Sequence, residues 1–196
     1  MRVTDDRYSR DWRRLELAVR MIRHEARTGT IRLWTGLSDD RIRKLYRTYV
    51  QSVAVTPVRR HRGKTPSQTS FFLRNRETRR HGALLAGIYS RLGLLDRDAA
   101  GHPLLPGRPA MQWGGLVLSA YEAYLELCPD VCISFEHACH LLDALWAETE
   151  LGLAACRSCA ALTLVDRLRV GSAGCTFCSS QRTSRPLASP GSERMQ

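Results

Sequence analysis

The chain has 196 residues and is 43% apolar, room for one or two domains with a real core. It carries 28 Arg and 2 Lys against 19 acids, a formal charge of +11. No run of about 18 apolar residues is present, which excludes a membrane-spanning helix. The opening MRVTDDRYSRDWRR lacks the apolar stretch of a signal peptide, so the expectation is a cytoplasmic protein without membrane contact. In that compartment the seven Cys are expected as thiols or metal ligands, not disulfides.

In chain order, Ser9 is a cap for a helix running to about Thr28, with Gly29 as its stop. Trp12, Leu15, Val19, Ile22 and Ala26 recur at steps of three and four and predict its buried stripe. A short segment, Thr30 to Leu37, turns Ile31 and Trp34 to one side and breaks at Gly36. Ser38 is a strong N-cap, and Asp39 and Asp40 complement the first turn of a helix predicted to reach Gln51. Ile42, Leu45, Tyr46 and Tyr49 form its apolar face. Residues 52–66 read as a basic arm, and 67–92 as a helix in two pieces burying Phe71, Phe72, Leu84, Leu85, Ile88 and Tyr89, with Gly93 as its stop. A Pro- and Gly-rich connector spans 96–109. Helices follow at about 113–127 and 134–149, divided by Pro129, the second capped by Ser134. The polar residues from Ser180 onward are expected to be disordered. The predicted fold is mainly α: a helical domain over 1–150, a small four-cysteine, zinc-ribbon-like module over 151–180, and a tail over 181–196.

The charge is segregated. Residues 41–80 hold ten Arg, Lys44 and Lys64 against Glu77 alone, a local balance of +11. Residues 109–155 hold no Arg or Lys and seven acids, from Glu122 to Glu150. Codon bias explains Arg over Lys but not this confinement, which suits a polyanion such as duplex DNA. Within the basic stretch, 30–50 reads as a helix-turn-helix unit, whose second helix enters the major groove. A helical wheel turns Arg43, Lys44 and Arg47 outward, with Arg41 on the flank, and the arm adds Arg59, Arg60 and Arg62. Guanidinium groups suit both phosphates and the O6/N7 edge of guanine. A surface helix with solvated arginines would show the same pattern. The acidic helices, with Leu116, Val117, Tyr121 and Tyr124, are read as a solvated or partner-docking face.

The most specific motif is Cys156-Arg-Ser-Cys159, fifteen residues, then Cys175-Thr-Phe-Cys178. Two CxxC turns at this spacing close a thiolate tetrahedron around one Zn²⁺, and four protein ligands leave no position open for catalysis. The ion is therefore expected to be structural, and the fold of 151–180 to depend on it. Arg157, Arg167 and Arg169 would offset the charge of the site. Iron is chemically admissible in the same cage. Cys128, Cys132 and Cys139 read as buried thiols, with Cys132, His137 and His140 as a weaker ligand set. Neither nucleotide-binding glycine motifs nor HExxH or GxSxG occurs, so no enzyme is expected.

The order of these parts resembles the FlhC family of flagellar transcriptional activator subunits. The stretches that carry the likeness are Leu37-Ser38-Asp39-Asp40-Arg41-Ile42-Arg43-Lys44-Leu45-Tyr46, Ala120-Tyr121-Glu122-Ala123-Tyr124-Leu125-Glu126-Leu127-Cys128-Pro129, Ala144-Leu145-Trp146 and the cysteine quartet. They span roughly residues 12–180. The resemblance implies a bacterial, cytoplasmic DNA-binding protein that works in a hetero-oligomer with FlhD and activates flagellar promoters with RNA polymerase. It also implies a helical fold with Cys156, Cys159, Cys175 and Cys178 as zinc ligands. The chain departs from the family in its Arg-rich 59–80 and its Ser/Pro-rich tail, which leaves the target promoters open. A zinc-containing RNA-binding protein and a rubredoxin-like electron carrier are the rival classes.

Overall fold

The computed structural model describes residues 2–50, 58–61, 63–96, 110–169 and 174–178. Seven helices and one β-hairpin are formed by these residues: α1 (Arg2–Arg23), α2 (Thr28–Thr35), α3 (Asp39–Leu45), α4 (Ser70–Leu73), α5 (Arg76–Arg91), α6 (Ala110–Leu127), α7 (Phe135–Ala147), β1 (Leu151–Ala155) and β2 (Leu162–Asp166). The connector over 97–109 and the tail lie outside the described residues. No helix among the described residues is long and apolar enough to cross a membrane.

Helix α6 is central. Trp113, Val117, Leu118, Ala120, Tyr121 and Tyr124 are buried over most of its circumference, because α1, α2, α5 and α7 all pack on it. Its close approach to α2 is made at Gly114, where a Cβ would lie 2.6 Å from the Cβ of Trp34. The buried placement of Val117, Tyr121 and Tyr124 overturns their reading as a docking face. Their rings and methyls fill the chain's own core, and only Leu116 is half-exposed.

The N-terminal helix differs from expectation at both ends. It begins by Arg2 and stops at Arg23, and Gly29 falls inside α2. The corner between the two helices is made by Glu25, a non-glycine residue in the left-handed region at φ 59°. The corner is fixed from outside: Glu136 on α7 accepts the backbone N–H of Arg27 at 2.6 Å and the hydroxyl of Thr30 at 2.9 Å. The buried stripe of α1 is Leu17, Ala18, Met21 and Ile22, and Trp12 is 69% exposed. Leu15 is half-buried against the core, whereas Trp12, a turn earlier, is not part of it.

Helices α2 and α3 meet through a short turn that local chemistry specifies. Gly36 takes φ +69° as the C-cap of α2, a conformation that L side chains rarely adopt, and returns its N–H to Arg32. Ser38 then caps α3 by accepting the N–H of Arg41. Beyond Leu45 the helix continues as a π-helical turn, Tyr46–Val50. Ile42 and Tyr46 are buried, Leu45 is half-buried, and the side chain of Tyr49 lies outside the described residues.

Helix α5 is capped by Asn75, whose side chain accepts the N–H of Thr78 at 2.7 Å, and α7 by Ser134, which accepts from His137. Gly93, at φ +69°, follows the end of α5 as expected. The hairpin is antiparallel, with Leu151 opposite Asp166, Leu153 opposite Leu164, and Ala155 opposite Leu162. Leu151 and Leu164 are fully buried and join the helical core, β1 against α7 and β2 against α5. Leu164 reaches the backbone of Gly82, where a Cβ would lie 2.6 Å from its Cδ1.

Candidate metal centre and basic surface

The first CxxC occupies the turn between β1 and β2. Cys156 donates its N–H to Ala161 and accepts that of Ala160, and Ala160 adopts φ 57° to close the loop. The second CxxC follows β2. The structure brings the four predicted sulfurs together, all within 4.8 Å of one another. Cys156 and Cys178 are 3.7 Å apart, as are Cys159 and Cys175. A tetrahedral ion with metal–sulfur bonds of about 2.3 Å needs sulfur–sulfur edges of about 3.8 Å. The cage therefore fits a four-thiolate metal such as zinc.

Electrostatics point the same way. The amides of Ser158 and Cys159 pull the thiol of Cys156 down to about 6, which favours a thiolate there. Cys178 is pushed up to about 12 by the sulfurs of Cys159 and Cys156. Thiols packed this closely resist joint ionisation until a cation relieves their repulsion. Arg167 and Arg169, expected to offset the site, are paired instead with Glu148 at 2.8 Å and Asp166 at 3.9 Å, whereas Arg157 is exposed.

Among the described residues no second metal-ligating group forms. His137 stacks on Phe71 with ring centroids 3.9 Å apart and lies 2.7 Å from the hydroxyl of Ser134. It does not converge with Cys132 and His140. Burial raises the thiols of Cys128, Cys132 and Cys139, Cys139 well above the usual range.

The basic residues singled out from sequence are all exposed where described: Arg41, Arg43, Lys44, Arg47, Arg59 and Arg60. Arg62 lies outside the described residues. Arg41 pairs with Asp11 of α1 at 3.7 Å and Arg43 with Asp40 at 2.7 Å. The arm is held beside α3 by several ties that the sequence did not announce. Glu25 accepts the N–H of Arg59 at 3.3 Å and meets Nε2 of His61 at 2.7 Å. Arg27 donates to the carbonyl of Gly63 at 2.7 Å, and Arg60 lies over the ring of Tyr46. These ties fasten the arm to the α1–α2 corner and to Tyr46 at the end of α3.

The acidic segment is mostly committed to internal ties. Glu122 holds Arg20 and lies 3.2 Å from Nε2 of His24, Glu148 holds Arg167, and Glu150 accepts from Thr69. Glu136 is buried at the helix corner described above. Glu126, Asp130 and Asp143 remain exposed. The partners of Glu122 and Glu136 sit about a hundred residues away in sequence, so spacing alone gave no sign of them.

One further contact stands out. Arg76, in the first turn of α5, donates Nε and Nη2 to the carbonyl of Thr176, inside the second CxxC, at 3.2 and 2.8 Å. Nothing in the sequence separates Arg76 from its basic neighbours. No protein-family model matches this chain. No curated protein matches it either.

Proposed function

We propose that this chain is a DNA-binding transcriptional activator subunit of the FlhC kind, with one structural zinc ion on Cys156, Cys159, Cys175 and Cys178. In this reading α2 and α3 act as a helix-turn-helix unit, with Arg43, Lys44 and Arg47 toward the major groove. Arg41, Arg59, Arg60 and Arg62 grip the phosphate backbone and release counterions. A cytoplasmic hetero-oligomer with FlhD delivers RNA polymerase to flagellar promoters.

The observation that carries the proposal is the joining of arm and helix. The Arg60–Tyr46 contact and the Glu25 ties fasten the arm near the end of α3, which supports a reading in which the cations of both segments act on one polyanion. A closed four-thiolate site supports a structural and not a hydrolytic role for the ion. When bound, zinc would hold the two CxxC turns together, while the arginines of the chain bind and orient the DNA.

The test is binding of a fluorescent duplex carrying a flagellar promoter, with and without co-expressed FlhD, across a salt series, with zinc assayed on the same sample. The proposal expects salt-sensitive, promoter-selective binding and one zinc per chain. Zinc without preference for duplex over structured RNA would replace it with an RNA-binding function. A red, iron-loaded protein without nucleic-acid affinity would favour electron transfer.

A further inference from the structure

We propose that Arg76 is a positioning residue for the metal centre: its guanidinium holds the Cys175–Cys178 turn against α5, so that the second pair of sulfurs meets the first. The inference rests on the zinc reading of the quartet.

The two halves of the cage are built differently. The Cys156–Cys159 turn is continuous with the β1–β2 ladder and inherits its position from the hairpin. The Cys175–Cys178 turn lies outside both strands. It must be placed from elsewhere: Phe177 packs against the core, and α5 supplies the polar tie, the paired Arg76 bonds to Thr176. The same helix seats the hairpin, through Gly82 against Leu164. One rigid element therefore contacts both halves of the cage. Asn75 caps it immediately before Arg76, so the guanidinium projects from an ordered first turn.

The geometry suits arginine in particular. Two N–H groups of one planar fork converge on a single carbonyl, and Thr176 itself is 3% exposed. A lysine keeps the charge but not the fork. The contact also assigns Arg76 a different task from its neighbours in the basic stretch. Both Arg76 and Arg80, on the next turn, are exposed, but the Nε and Nη2 of Arg76 are turned to the carbonyl of Thr176. Outer residues that orient a ligand turn change metal affinity by about 10- to 100-fold when removed.

The test uses the full chain and Zn²⁺ alone, in competition with a chromophoric chelator. Arg76→Ala should weaken Zn²⁺ binding by about tenfold or more. Arg80→Ala, which removes the same charge from the same helix, should leave it unchanged. The rise in thermal midpoint on adding Zn²⁺ should shrink in Arg76→Ala and persist in Arg80→Ala. Arg76→Lys keeps the fold readable should the alanine variant fail to fold, and it too should bind several-fold more weakly. Zinc affinity equal to wild type in Arg76→Lys or Arg76→Ala, or an equal loss in Arg80→Ala, overturns the proposal while leaving the zinc reading intact. Wild-type protein that takes up no Zn²⁺ overturns both.

Discussion

The guanidinium of Arg60 lies over the ring of Tyr46, 5.5 Å from its centroid. The hydroxyl of the same tyrosine donates to the carbonyl of Ala26 at 2.5 Å. One side chain thus joins the end of α3, the α1–α2 corner and the basic arm. Burial pushes its phenol up to about 12 despite the opposing charge of Arg60, so it remains a donor at any working pH. The two contacts separate experimentally. Arg59→Ala with Arg60→Ala should lower the slope of log K against log salt by about 2 on promoter duplex, one unit per lost phosphate contact. Tyr46→Phe should instead cost about 1 kcal/mol of stability and leave that slope nearly unchanged. A double arginine variant with the wild-type slope would place the arm away from DNA.

What the sequence made legible was local. Ser38, Ser134, Gly36 and Gly93 sit where capping chemistry puts them, because the bonds they make close within four residues. Each CxxC gathers its own two sulfurs within one turn, which made the quartet legible, while the meeting of the two turns rests on tertiary contacts. What escaped was tertiary. Leu151–Ala155 has no β-branched residue, and it becomes a strand because β2 pairs with it and Leu151 is buried. Glu25 turns the chain through a conformation that no composition signal marks, since Glu136 and the arm hold it from a distance. Glu122 and Glu148 read as part of a free face because their arginine partners lie on other elements.

Metal removal should be less destructive than the spacing alone implies. Leu151 and Leu164 anchor the hairpin in the helical core, independent of the ion. Chelation of zinc, or Cys175→Ala, should therefore leave the far-ultraviolet helix signal largely intact. Faster amide exchange should be confined to about 154–163 and 174–178, and duplex affinity should fall. Exchange spreading to α6 would mean that the metal holds the whole domain together, contrary to this packing.

Glu122 gives the fold a defined acid sensitivity. Burial pushes its carboxyl up, but the hydrogen bond and charge of Arg20, followed by those of His24, outweigh burial and hold it below 4.5. A carboxyl depressed in the folded state stabilises the fold above its unfolded pKa, and that stability disappears as pH falls through the folded value. Both partners of the Arg20 pair are about a third exposed, so solvent screening limits the effect to about 1 kcal/mol. Glu122→Gln should be less stable than wild type at pH 7 by that amount. The difference should close below pH 4.5, as read from urea midpoints across pH. A gap that persists in acid would mean that the substitution acts through packing and not through charge.

Adjacent glycines of α6 should respond with opposite signs. A Cβ on Gly114 would lie 2.6 Å from Cβ and 2.8 Å from Cγ of Trp34, and 3.2 Å from Cε of Met21. The methionine tip can swing aside, but the tryptophan Cβ moves only with the backbone of α2. Gly115 has nothing within 4 Å of such an atom. Both positions are helical, so alanine recovers about 1 kcal/mol of helix propensity at each. At Gly114 that gain is opposed by overpacking of about 1–3 kcal/mol. Gly115→Ala should therefore raise the urea midpoint, and Gly114→Ala should lower it or at best leave it unchanged. Equal stabilisation by the two substitutions would show that α2 and α6 do not meet backbone to side chain at Trp34, and the packing that carries α3 and its arginines would have to be redrawn.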